Sequence, residues 1–598
     1  MRAAKARQRT PNAHRRHPSW QLVVHQRGAE RAAGDPVGEC GGDRDFLGPL
    51  RRWEKWGCLL ACTCACICCR AVQARIHSFM LRGIDASPCE VEVHLSAHGL
   101  PQIAVVGLPD AAIRESVERV RRAIESSGFE VPRHHAVVNL APAGTRKEGA
   151  VYDLPIALGL LRAADAHVAP RGSSLDPEQW LVAGELALDG RVRAVRGAVS
   201  AALMARDMGR GILLPAESAR EARLVPDSRV AAVETLSDAV DFFRGERSLY
   251  CGDSLLIQSG HGCSSEDQVG GEAVGDAAPP AGLAPVDFRE IKGQTTAKRA
   301  MLIAAAGGHN VLMLGPAGCG KTMLARALAG ILPPLLPEEA LEVLRISSCA
   351  GVGMDGRLRS GRLDVARPVR APHHGASATA IVGGGPQGRP GEITLAHHGI
   401  LFLDELPEFR RDVLESLREP LEGGEVSIAR ASGSVRWPAA AMLVAAMNPS
   451  AQGERLGGVR GARLMGEYLG RLSGPVLDRI DLHVEVRRVG ARDLSRAKPG
   501  ADSASLRTQV LQARARARSR QGSLPNARLP GELLDRVCRL DAAATHLLSH
   551  GLDELALSAR AYDKIRRVAL TIADLENHTE VHAEDVSEAL QYRALGMG

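Results

Sequence analysis

Long hydrophobic runs, aromatic residues and paired cysteines are all scarce in this 598-residue sequence. No stretch of 18 or more apolar residues occurs, so no membrane-spanning helix is expected. Aromatics make up 3% of the chain against 45% hydrophobic residues overall. That is the composition of soluble globular domains, and the length has room for three or four of them. Charge of one sign is missing as well. The formal net charge is +6, but residues 1–71 hold 13 Lys/Arg and 6 Asp/Glu, which leaves 62 basic and 63 acidic residues for the rest. A basic field over the whole surface is excluded, and any nucleic-acid site must be a local patch. Seven of the 13 cysteines precede residue 72; the other six (Cys89, Cys251, Cys263, Cys319, Cys349, Cys538) show no pairing pattern. Their scatter excludes a disulfide framework and points to a reducing cytoplasm. Solenoid-type repeats are absent too.

The first 71 residues have three readings. "RRWEKWGCLLACTCACICCRAVQA" has a charged start, a short apolar run and a small-residue end, as a signal peptide does, but it begins only at Arg51. Its cysteines suggest a metal site, yet the C-x-C and C-C spacings lack a second CxxC pair. The reading favoured here is a segment that is disordered or not translated, with a start at or near Val72, because recognisable domain sequence begins around Ala74.

Three units follow. Residues 74–245 read as mixed α/β. "CEVEVHL" alternates like a half-buried strand and "PQIAVVG" reads as another, while "DAAIRESVERVRRAIESSG" has an Asp110 cap, helical spacing and a Gly128 stop. Residues 246–286 turn rich in Gly, Ser, Ala, Pro and acids without periodicity, the composition of a flexible linker. A second α/β unit occupies 287–490. A helical unit follows over 503–598, carried by "SLRTQVLQARARARSR", "PGELLDRVCRL", "LSARAYDKIRRVALTIADLE" and "HAEDVSEALQYR". The arginines from Arg514 to Arg520 spread around their helix, as a solvated surface would.

The second unit opens on a phosphate-binding pattern. Gly315, Pro316, Ala317, Gly318, Cys319, Gly320, Lys321 and Thr322 satisfy G-x-x-x-x-G-K-[ST] between the apolar "NVLML" and a helical run. Glycines let backbone N–H groups turn inward around phosphates at the positive end of that helix. Lys321 would reach the β/γ-phosphates of ATP, and Thr322 would ligate Mg²⁺. Downstream, "GILFLDEL" is an apolar strand ending in Asp404–Glu405. Asp404 suits the Mg²⁺ shell and Glu405 the base that orients an attacking water; two acids after a buried strand could also merely cap it. "AMLVAAMNP" ends at Asn448, placed to sense the γ-phosphate. Arg479 and Arg560 lie far from the P-loop in sequence, which suits arginines supplied by a lid or by a neighbouring subunit, though either could be a surface residue. Arginines supplied in trans imply a ring.

Together the P-loop, "RPVRAPHHGASATAIVGGG", "RPGEITLAHHGILFLDELPEF", "AAMNP", "SGPVLDRIDLH" and "LSARAYDKI" resemble the magnesium-chelatase-like AAA+ ATPases, and within them the YifB/ComM branch. The resemblance spans about residues 74–598. It implies an α/β multidomain fold: a Lon-protease-like α+β domain at the N-terminus, an AAA+ P-loop core and a C-terminal helical lid. It also implies a homo-hexameric motor that uses ATP and Mg²⁺ and drives branch migration of DNA, with Arg479 as trans finger and Arg560 as lid sensor. Two departures stand out. Many relatives carry cysteines after the Asn-Pro of the sensor strand, whereas "NPSAQGERLGGVRGARLMGEYLG" has none, and Leu570 stands where an arginine is usual.

What such a motor moves has several readings. The Lon likeness suggests proteolysis, but the serine and lysine positions of that pattern fall at about Val151 and Val199, which cannot do Ser–Lys chemistry. Chelatase work, remodelling of a protein partner and a regulatory ATP-binding scaffold rest on kinship alone. DNA has a physical handle. "EVSIARASGSVRW" alternates, turns at Ala431–Gly433 and alternates back, as a hairpin does, with Arg430 and Arg436 flanking its tip. Six copies would form a basic collar for phosphates; an edge hairpin with solvated arginines is the bland alternative. His373–His374 and His397–His398 have no evident acid or cysteine partners, so packing or pore-loop roles are expected and no metal beyond Mg²⁺.

Overall fold

The computed structural model describes residues 73–96, 100–164, 175–246, 250–251, 286–352, 366–385, 388–430, 433–449, 472, 474–490, 500–554 and 558–593. The N-terminal extension, most of the expected linker, the hairpin tip 431–432 and most of the cysteine-free stretch after Asn448 lie outside the described residues.

The first region builds one mixed sheet. Its strands are β1 (Gln73–Arg82), β2 (Asp85–Ser96), β3 (Ile103–Val106), β4 (His135–Ala141), β5 (Trp180–Val182), β8 (Gly211–Pro215), β9 (Arg229–Val233) and β10 (Tyr250–Cys251), with a small separate pair β6 (Glu185–Leu186) and β7 (Val192–Arg193). Across the sheet they run β10-β9-β8-β5-β1-β2-β4-β3. β1 and β2 form a hairpin that closes at Arg82 and Asp85, where Gly83 takes a left-handed φ of 65°. The helix Ala111–Ser126 starts as its sequence demands: the Asp110 carboxylate accepts from the Ile113 N–H at 2.8 Å, satisfying one of the orphan donors of the first turn. Gly128, at φ 81°, follows its end.

The second region holds a five-stranded, wholly parallel sheet in the order β12-β15-β18-β11-β19. These are β11 (Val311–Leu314), β12 (Val369–Arg370), β15 (Ile400–Leu403), β18 (Met442–Met447) and β19 (Leu482–Glu485). "ILFL" and "MLVAAM" are buried along their whole length. Strands apolar on both faces suit a parallel sheet covered by helices on either side. Two antiparallel pairs project from this core: β13 (Gly383–Gly384) with β14 (Arg389–Pro390), and β16 (Glu425–Arg430) with β17 (Gly433–Pro438).

The helices Ser503–Gln521, Gly531–Val537, Ala542–Glu554, Ala559–Glu576 and Ala583–Gln591 form the C-terminal unit. Its apolar side chains share one buried cluster with the helix Thr295–Gly307 and with β11 and β19. The arginine run does not behave as a solvated surface. Arg514 donates to the Ala305 carbonyl, Arg516 to the Asp574 carbonyl, and Arg520 forks onto the Asp574 carboxylate at 2.7 and 2.9 Å. Of these four arginines only Arg518 is exposed. Their partners lie on other elements, which helical spacing alone cannot reveal.

One buried ionic knot joins the units. Asp481, at the start of β19, accepts from Lys564 at 2.9 Å and from the Asn310 N–H at 3.1 Å, and lies 3.6 Å from His309. Despite desolvation, Lys564 and His309 hold its carboxyl well below the usual range. Removing one charge of a buried pair leaves the other uncompensated. Asp481→Asn should therefore destabilise the full chain by about 3 kcal/mol in urea unfolding. Arg518→Ala, at an exposed position of the same unit, should stay within about 0.5 kcal/mol.

Candidate active site

The P-loop leaves the C-terminal end of β11. Gly318 and Gly320 take φ of 75° and 97°, conformations open to glycine, so the loop can curl and present its amides. Gly315 is needed for closeness instead: a Cβ there would stand 2.1 Å from the Val486 carbonyl oxygen and 2.9 Å from Cys319 Sγ. The helix Lys321–Ile331 begins immediately after the loop.

Lys321 is buried, and its ammonium donates to the carbonyls of Gly315 (2.7 Å) and Pro316 (3.0 Å) and to Asn448 Oδ1 (3.0 Å). P-loop and third strand therefore meet at one cation. Thr322 Oγ1 donates to Asp404 Oδ2 at 3.1 Å, and the other Asp404 oxygen accepts from the Glu405 N–H at 2.9 Å. Glu405 sits at φ 53°, a left-handed backbone that costs a non-glycine residue of order 1 kcal/mol. Its side chain is half-exposed, 3.3 Å from His374 Nδ1. Gln294, not singled out by the sequence reading, also has a left-handed φ of 55° and donates to the carbonyls of Cys319 (3.3 Å) and Arg487 (2.5 Å), tying the loop to the chain after β19. Its only signal was a glycine–glutamine turn before a helix.

This set suits a nucleoside triphosphate with Mg²⁺. A phosphate oxygen can replace any of the three acceptors on Lys321, and a hydroxyl paired with a carboxylate offers the hard oxygen donors that Mg²⁺ prefers.

Arg479 and Arg560 are elsewhere. The Arg479 carbonyl accepts from Asn310 Nδ2 at 3.1 Å, and Asn310 precedes β11. With β11 only four residues long, at about 3.3 Å each, the P-loop and the Arg479 backbone flank opposite ends of the sheet. The Arg479 side chain donates to Glu422. That hydrogen bond and charge, joined by the charges of Arg560 and Arg418, depress the Glu422 carboxyl. Arg560, exposed in the first turn of its helix, lies near enough to Glu422 for its charge to be felt there.

The histidine pairs do have an acid partner, contrary to the expectation from sequence. Glu342, from the helix Pro337–Ala350, lies 3.0 Å from His397 Nε2 and 2.8 Å from His398 Nε2. The three could be mistaken for a metal site. However, His397 Nδ1 accepts from the Ala440 N–H at 2.9 Å, so the neutral ring carries its proton on Nε2 and donates it to Glu342. That leaves His397 no lone pair for a cation. Burial keeps it neutral by lowering its pKa to about 4.

Among the candidate DNA contacts, Arg436 is exposed on β17. Arg430 ends β16, and its side chain lies outside the described residues. The hairpin's other face is covered: Val426 and Trp437 are buried, and Ile428 and Val435 pack in the same cluster as Leu81 and Ile84 of the β1–β2 turn. In the first region, Val199 is fully buried. The Cys89 thiol, beside Tyr152, is pushed up to about 11 by burial and cannot serve as a nucleophile at neutral pH.

Gly315→Ala should dislodge the P-loop and weaken ATP binding, read by titration with a fluorescent ATP analogue, by about tenfold or more. Gly330→Ala, where a Cβ would meet only Ser503 Oγ at 3.9 Å, should bind as the parent does.

Residues 287–494 match the family described as magnesium chelatase, subunit ChlI; residues 91–218 match subunit ChlI of Mg-chelatase, and residues 500–593 its C-terminal family. The YifB protein of Salmonella typhimurium is 42% identical over 527 residues, covering 87% of this chain and 97% of its own. The competence protein ComM of Haemophilus influenzae is 40% identical over 525 residues with the same coverage. The magnesium-chelatase 38 kDa subunit of Cereibacter sphaeroides is 27% identical over 291 residues, 42% of this chain and 76% of its own. The chain belongs to the YifB/ComM branch of the magnesium-chelatase-like AAA+ proteins, a family built on an ATPase core.

Proposed function

We propose that the protein is an ATP-hydrolysing ring motor that moves DNA, with each ATP bound between two subunits. The observation that carries this reading is the division of the site. One end of the sheet holds Gly315–Thr322, Asp404, Glu405 and Asn448; the Arg479 backbone stands at the other, about the length of β11 away, and the charge of Arg560 is felt at the same Glu422 that binds Arg479. In this reading the two sets do not meet on one nucleotide within one chain. A head-to-tail neighbour can bring them together, and repetition of that contact closes a ring, read here as a hexamer.

In this arrangement Lys321 grips the β/γ-phosphates and hands one of its hydrogen bonds from Asn448 to the substrate. Bound Mg²⁺, held by Thr322 and Asp404, would neutralise charge on the phosphate oxygens. Glu405 takes the proton from the attacking water, and the left-handed turn at this residue fixes where its carboxylate stands. His374, beside it, can hold that carboxylate when no water is placed. Arg479, released from Glu422, reaches the neighbour's γ-phosphate, and Arg560 reports the same phosphate to a C-terminal lid. The N-terminal region is read as a Lon-like domain without protease chemistry. The DNA half of the proposal rests on the hairpin β16–β17, which presents Arg436 at the surface, and on likeness to a protein named for competence.

Steady-state ATP turnover tests the division directly. Lys321→Ala and Arg479→Ala should each be inactive as pure proteins. Mixed, they should regain a fraction of wild-type turnover, because a Lys321-intact site then meets an Arg479-intact neighbour. Failure to complement would refute the shared site. Single-stranded or four-way-junction DNA should stimulate the wild type, and Arg430→Ala or Arg436→Ala should blunt the response. Turnover indifferent to all DNA would move the reading to a protein-remodelling or chelatase-like motor.

A further inference from the structure

A cleft between the first region and the core's two hairpins is lined by Arg82, Arg146, Arg196 and Arg389, with Val435 and Trp437 on its wall. All four arginines are exposed, and none has an ion pair or side-chain hydrogen bond among the described residues. Two acids share the lining. Glu185 is already 3.5 Å from Arg193, which leaves Glu148 to face four guanidinium groups. Among the described residues, no lysine lines the cleft. Four guanidinium groups face one other carboxylate here, a surplus of positive charge that a polyanion would relieve. Guanidinium forks match phosphate oxygens two by two.

The backbone under these arginines is fixed. The Gly197 N–H, next to Arg196, donates to the Ser348 carbonyl at 3.0 Å, and the stem of Arg196 lies against Gly351, where a Cβ would stand 3.2 Å from its Cδ. Arg82 borders Gly83, where a Cβ would meet the Arg436 carbonyl oxygen at 2.9 Å, so the β1–β2 turn is seated on β17. Arg389 is held by the β13–β14 pair, to which Trp437 Nε1 is tied through the Gly388 carbonyl at 3.2 Å. Val151, where the protease pattern would put its nucleophile, lines the same cleft.

We infer that this cleft binds the phosphate backbone of a DNA strand as it passes between the β16–β17 hairpin and the first domain. The inference rests on the DNA reading above and adds to it a second contact, made by arginines outside the hairpin. The direct continuity is Gly83, which places Arg82 beside the very strand that carries Arg436.

The test is the salt dependence of binding. Full-length wild type and the triple variant Arg82→Ala/Arg146→Ala/Arg196→Ala are titrated with a fluorescein-labelled single-stranded oligonucleotide at several NaCl concentrations, read by anisotropy. Each phosphate contact contributes about 0.7 to the slope of log K against log salt. The variant should lose about 2 from that slope and bind at least tenfold more weakly at low salt, with an unchanged melting temperature as the folding control. An unchanged slope, with the wild type binding DNA, overturns the cleft and leaves the DNA motor standing. A wild type that binds no DNA overturns both. Tighter, arginine-dependent binding of polyglutamate than of the oligonucleotide overturns it in favour of an acidic protein partner.

Discussion

Everything at the nucleotide site follows from the single direction of five strands. In a parallel sheet every connection that follows a strand emerges at the same edge, so P-loop, Asp404–Glu405 and Asn448 gather there although they span more than a hundred residues. The same constraint sends Arg479, which precedes β19, to the far edge. The core thus carries the P-loop, Asp404 and Asn448 at one end and Arg479 at the other.

The far edge is also where the C-terminal helices are fastened. Asp481–Lys564, His309–Thr571 at 2.8 Å, Arg514 on the Ala305 carbonyl and Arg528 on the Ala441 carbonyl all tie them to residues that precede or follow the apolar heart of the sheet. Three of the four are made by a lysine or an arginine, and together they fasten the unit carrying Arg560 to the N-terminal ends of the strands.

What could be seen in the sequence was local. The strand–loop–helix of the P-loop, the acids after "ILFL", the Asn after "MLVAAM" and the Asp110 cap each need only neighbouring residues to be recognised, and the structure puts Lys321, Thr322, Asp404 and Asn448 within hydrogen-bonding reach. What escaped was long-range. Glu342 lies 55 residues from His397 in sequence, so an acid partner looked absent. Arg514, Arg516 and Arg520 looked solvated because their acceptors come from other elements. Gln294 acts through Cys319 and Arg487 carbonyls that no side-chain pattern marks. β13–β14 is written mostly in glycine, which shows no alternation, and the helix Ala542–Glu554 was missed beside its more strongly patterned neighbours. Arg560 was assigned to a role, but its edge of the sheet was beyond the reach of sequence.

The first region is docked on the core through a buried apolar contact. Val199 packs in one buried cluster with Ala340, Val343 and Leu344 of the core helix, and its N–H donates to Ser348 Oγ at 3.5 Å. A lysine at that position would have its ammonium desolvated against an apolar helix face, a cost of several kcal/mol. A valine suits this docking contact. Nearby, Arg345 clasps Asp85 at 2.7 Å and the Ile84 carbonyl at 3.3 Å, and Ser200 donates to the same carbonyl at 2.5 Å. The β1–β2 turn is thus pinned both to that helix and to β17.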